Sequence, residues 1–91
     1  MILCKRYQVN GRVQGVFYRA SARDQAISIG VTGWVRNASD GGVELVACGE
    51  ESQLSQLESW LHEGPAYAVV EDVQSEIITE EIYSDFSIRY Q

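Results

Sequence analysis

Apolar and polar residues alternate from Leu3 to Val9, which predicts a strand with Leu3, Tyr7 and Val9 on one face and Lys5 near the end of that face. Residues 11–19 are rich in glycine and β-branched residues and read as a loop. From Tyr18 the period becomes helical, with Tyr18, Ala22, Ala26 and Ile29 on one stripe and Gly30 as the stop. Val31 to Asn37 returns to a strand, with Gly33 and Val35 facing the core and Trp34 the other way. Asp40-Gly41-Gly42 suits a hairpin turn. Val43 to Cys48 is a third strand, with Val43, Leu45 and Ala47 on one face and Glu44, Val46 and Cys48 on the other. A second helix opens on Glu50 and Glu51, which suit a positive helix N-terminus. Its core stripe is Leu54, Leu57 and Leu61, with Trp60 beside it, and Gly64-Pro65 ends it. A fourth strand lies within Tyr67 to Ile78, and Phe86, Ile88 and Tyr90 mark a short last one.

Strand–helix–strand–strand–helix–strand is the order of two split β-α-β units. Right-handed crossovers leave room for one more strand inside each unit. The expected fold is therefore α+β: a ferredoxin-like α/β sandwich, with an antiparallel sheet and both helices on one face. The first and third strands become antiparallel central neighbours. Cys4 and Cys48 then fall on the same open face as cross-strand partners. They can form a disulfide in the purified protein, whereas cytosolic redox poise favours free thiols.

The chain has 91 residues, enough for one core and one domain, expected over residues 1–91. There is no apolar run of about 18 residues. Met1 to Arg6 lacks the layout of a secretion signal. A cytoplasmic monomer without membrane partners is expected. The net charge of −6 argues against nucleic acid, which needs a cationic footprint. The charge is uneven. Residues 1–36 hold six of the seven Lys/Arg and one acid, Asp24, for +5; residues 37–91 hold Arg89 and twelve acids, for −11. A bound anion should meet the first third of the chain.

Within that third, residues 11–19 read GRVQGVFYR. The segment leaves a strand, turns on two glycines and enters a helix with Arg19 in its first turn. Glycines let backbone N–H groups converge. The helix N-terminus adds unpaired donors and a partial positive charge. Arg19 adds a fork that matches two phosphate oxygens. Each charge-assisted hydrogen bond contributes about 1.5–3 kcal/mol. The segment is not a nucleoside-triphosphate loop, because Gly15 follows Gly11 by four and Val16-Phe17 stand where Lys-Ser/Thr is needed.

The same segment closely resembles the signature of the acylphosphatases, whose first motif runs apolar-x-Gly-x-Val-Gln-Gly-Val-x-Phe-Arg. It is matched by Val9-Asn10-Gly11-Arg12-Val13-Gln14-Gly15-Val16-Phe17-Tyr18-Arg19. A second motif is matched by Gly33-Trp34-Val35-Arg36-Asn37, Gly41-Gly42-Val43 and Gly49. Asp85 to Tyr90 looks like the family's ending. Tyr18 stands where the pattern usually has Phe, and its hydroxyl needs a partner or water. Ala38 follows Asn37 where many members carry a hydroxyl or larger apolar residue.

The resemblance implies hydrolysis of acyl phosphates to a carboxylate and inorganic phosphate, with no metal or cofactor and with phosphate as a competing ligand. It implies that Arg19 binds the phosphoryl group, Asn37 orients the attacking water, and the backbone amides of Gln14, Gly15, Val16, Phe17, Tyr18 and Arg19 complete the cradle. Arg12, Arg23 and Arg36 read as surface charge. His62 suits the C-terminal end of its helix and has no second His for a metal. A phosphate or carboxylate sensor of the same fold is the alternative, but a sensor needs only the cradle, not Asn37. An RNA- or metal-binding domain is disfavoured by the acidic charge and by having only two cysteines.

Overall fold

The structure is a computed structural model that describes residues 1–79 and 82–90. Its elements are β1 (Ile2–Arg12), α1 (Tyr18–Ile29), β2 (Thr32–Asn37), β3 (Val43–Glu50), α2 (Glu51–Glu63), β4 (Val69–Ile78) and β5 (Phe86–Arg89). The strands form one sheet in the order β4-β1-β3-β2-β5. This is the ferredoxin-like arrangement that the element order predicts. The domain expected over 1–91 can be followed except at residues 80, 81 and 91, which lie outside the described residues. No described helix is long and apolar enough to cross a membrane.

Odd-numbered residues of β1, β2 and β3 face the helices. Tyr7, Val9, Val35, Val43, Leu45 and Ala47 are fully buried against Ala22 and Ala26 of α1 and Leu54, Leu57 and Leu61 of α2. Burying each large apolar side chain contributes about 1.5–3 kcal/mol, so this layer holds the helices to the sheet. Trp60 sits at its margin, 5.3 Å from the Tyr18 ring. Lys5 also points to the helix side. It lies within the strand rather than at its end, and its ammonium reaches Glu58 of α2 at 3.0 Å. The Tyr7 hydroxyl donates to the same carboxylate at 2.8 Å. Its long stem lets Lys5 cross an apolar face and keep its charge paired.

The open face carries the even-numbered residues. Trp34 lies there as expected, yet is only 7% exposed. The guanidinium carbons of Arg89 and Arg36 lie over its ring at 4.6 and 5.4 Å. Its indole N–H donates to the Tyr83 hydroxyl at 3.2 Å. Cys4 and Cys48 are register partners and are joined by a disulfide, one of the two outcomes open from the sequence.

Two strand features differ from expectation. First, β1 runs on to Arg12, because pairing with β4 survives a bulge after Asn10. Gly11 makes that possible. Its φ is 129°, and a Cβ there would strike the Val69 carbonyl oxygen. Glycine that reads as loop is here the bent end of a strand. Second, β5 pairs with β2 in parallel, so the sheet is antiparallel except at that edge. Residue alternation fixes which face a strand buries, not its direction.

Candidate active site

The irregular segment spans only residues 13–17, because β1 reaches Arg12 and α1 starts at Tyr18. Two left-handed residues turn it. Gly15 has φ 76°, with open space where a Cβ would go. Phe17, the N-cap of α1, has φ 67° and ψ 22°, and it is the one described non-glycine residue at positive φ. A phenylalanine side chain cannot cap a helix, and α1 has neither a side-chain cap nor an acid in its first turn. The Ser21 amide is the one that bonds back to Phe17 O, at 3.1 Å. The amides of Tyr18, Arg19 and Ala20 therefore have no acceptor within the helix and point out of its N-terminus. This is a site of positive potential with free donors, which suits a tetrahedral anion.

Buried core anchors the loop on both sides. Val13 is buried on the strand side. Tyr18 is buried on the helix side, and its hydroxyl donates to the Leu61 carbonyl at 2.8 Å. The hydroxyl that departs from the family pattern thus binds the end of α2. Burial raises the Tyr18 pKa well above its ordinary value.

Gln14 has a second function that the sequence did not disclose. Its side-chain amide donates to Ala38 O at 2.9 Å and to Gly42 O at 2.8 Å. Ala38 N–H in turn donates to Gly42 O at 2.9 Å. One carboxamide therefore ties the loop to both ends of the β2–β3 turn, next to Asn37. A lone polar amide among glycine and apolar residues was the available signal.

Asn37 ends β2. Its Oδ1 is buried and accepts no hydrogen bond from the described protein. A buried carbonyl oxygen left in this state costs about 1–3 kcal/mol unless water or ligand supplies a donor. Asn37 lines an open cleft with Ala38, Asp40 and Tyr90. Arg19 lines a neighbouring cleft of about 290 Å³ with Gly15, Phe17 and the same Tyr90. The Arg19 guanidinium carbon lies 5.2 Å from the Tyr90 ring centroid. Tyr90 is thus the common border of the two clefts.

The remaining arginines are placed as surface charge. Arg36 pairs with Glu44 at 2.6 Å and Arg23 lies 3.4 Å from Asp24. Arg12 and His62 are exposed.

A family model described as acylphosphatase matches residues 5–88. An acylphosphatase of Coxiella burnetii (strain RSA 493 / Nine Mile phase I) is 51% identical over 94% of this chain and 90% of its own length. A solved structure of an acylphosphatase from Coxiella burnetii superposes with a TM-score of 0.94 at 50% identity, covering 97% of this chain and 93% of that one. The crystal structure of acylphosphatase from Bacillus subtilis gives 0.94 at 34% identity, covering 99% and 100%.

Proposed function

Because this chain belongs to the acylphosphatase family and so hydrolyses the carboxyl–phosphate bond of acyl phosphates, we propose that Arg19 and the loop amides hold the phosphoryl group while Asn37 holds the attacking water. In this reading the Arg19 fork takes two phosphoryl oxygens, and the amides of Gln14 to Arg19 surround the third. These fixed donors stabilise charge that spreads over the equatorial oxygens in the transition state. The Asn37 carboxamide at the cleft holds the water by hydrogen bonding, with a water lone pair left free to face phosphorus. The new P–O bond forms as the bond to the acyl oxygen breaks. The carboxylate leaves with that electron pair. The water's second proton passes to a non-bridging phosphoryl oxygen, and the products are a carboxylate and inorganic phosphate. A carboxylate is a good leaving group, so no strong general acid is required beside it.

The observation that carries this reading is the placement of Arg19 and Asn37 in two clefts that share Tyr90. The roles of these residues come from the motifs together with this placement. Asn37→Ala should lower turnover of benzoyl phosphate roughly 10²–10³-fold while inorganic phosphate still inhibits at a similar concentration. Lost phosphate affinity with unchanged turnover would contradict the assignment to water. Running the assay with and without a chelator tests whether a metal takes part.

Residues 1–91 act as one domain and as a monomer in the cytoplasm, with phosphate as product and competing ligand. Nucleic acid is not a partner, because the net charge is −6 and the acids dominate residues 37–91.

A further inference from the structure

We infer that Phe17 and Tyr90 form the surface on which the acyl group of the substrate packs, and that the enzyme therefore favours acyl phosphates with a flat, apolar acyl group. This rests on the phosphate-holding role given above to the Arg19 loop. Phe17 is the anomaly that points to it. A bulky residue at φ 67° is strained, and glycine or asparagine would occupy the position more easily. Strain of this kind persists where the surroundings hold it and concentrates at functional sites. Yet the Phe17 side chain is 77% exposed and adds nothing to the core. Tyr90, 79% exposed, is the second large ring at the same cleft.

The chemistry of the lining sorts the two ends of a substrate. Arg19 is the one charged residue among the described lining, and Val13 and Ile88 complete its apolar wall. Arg19 and the amides are committed to the phosphoryl group. Among the described residues no second cation lines the cleft for a distal carboxylate or phosphate on the acyl group. In-line displacement puts the leaving oxygen opposite the attacking water. Asn37 lines the adjoining cleft, which shares Tyr90, so an acyl group that leaves away from Asn37 stays in the cleft that holds Phe17. An aromatic acyl group there meets two rings in reach of stacking or edge contact, and Tyr90 also backs the guanidinium.

The test is the ratio of kcat/KM for benzoyl phosphate to that for acetyl phosphate, in the unmodified protein, Phe17→Asn and Tyr90→Ala. Asparagine suits the left-handed backbone, so Phe17→Asn removes the ring without adding strain. The ratio counts only folded, active molecules and is insensitive to partial unfolding. It should fall about three- to tenfold in each variant. A ratio unchanged from the unmodified protein in both variants overturns the inference, even if both rates drop together. If the unmodified protein hydrolyses neither substrate, the underlying phosphate-holding reading fails first and takes this inference with it.

Discussion

The two helices of this fold begin in opposite ways. At α2 the chain satisfies its own N-terminus. The Glu50 side chain accepts from the Gln53 backbone amide, and Gln53 accepts from the Glu50 N–H at 2.8 Å. Glu51 adds negative charge in the first turn, and Gln53 also donates to Ile29 O, the last residue of α1. At α1 every one of these devices is absent. The cap is a strained phenylalanine, the first turn contains no acid, and it contains Arg19 instead. A helix start without an internal partner forgoes roughly 0.5–2 kcal/mol of capping stabilisation. The lesson is that one N-terminus is satisfied from within the chain while the other is left without an internal partner, as the proposed anion site requires.

Breaking that contrast at its charged residue should have the largest effect. Arg19→Lys keeps the charge but loses the planar fork, and should lower benzoyl phosphate turnover roughly 10²–10³-fold. Near-normal steady-state kinetics would remove Arg19 from the proposed role. A milder change makes α1 resemble α2. Ala20→Glu places an acid in the first turn of α1, beside Arg19. It should raise stability by about 0.3–1 kcal/mol through the helix dipole and weaken inhibition by phosphate about tenfold. Denaturant melts and inhibition curves read the two effects separately. If stability and phosphate affinity rise together, the N-terminus is not the anion site.

The reverse change at α2 should touch folding alone. Glu50→Ala should cost about 1 kcal/mol in urea unfolding and leave kcat unchanged. A second effect on stability alone concerns the departure at Tyr18. Burial raises the folded-state pKa of Tyr18 above its ordinary 10.0, and burial with Glu58 does the same for Tyr7. Above about pH 10 the unfolded chain therefore holds fewer protons than the folded one. Stability is fully present below pH 10 and declines as pH rises beyond it. Tyr18→Phe should make that decline shallower. It should also lose about 0.5–1.5 kcal/mol at neutral pH, because Leu61 O loses its donor. Unfolding curves from pH 8 to 11 check both.

What the sequence disclosed follows physical lines. The alternation in β1 and β3, broken at Lys5, still determined faces, so the Cys4–Cys48 juxtaposition followed from register. The spacing of Leu54, Leu57 and Leu61 determined the buried side of α2. The glycine pair and Arg19 marked the loop proposed to hold the phosphoryl group. The hidden features depend on partners distant in the chain. Gly11 looks like a turn until β4 is known to pair across it. Gln14 looks like a surface amide until residues 38–42 fold beside it. Tyr90 looks like the end of a strand until it meets Arg19 and lines the Asn37 cleft. The parallel direction of β5 is likewise a property of topology rather than of four residues.

The contrast between the helix starts is tested most directly by an amide NMR titration with inorganic phosphate. The amide resonances of residues 14–20 should shift together and saturate with one dissociation constant, while those of residues 51–54 at the start of α2 stay in place. If residues 14–20 do not respond, or α2 responds as strongly, the open helix start does not hold the phosphoryl group.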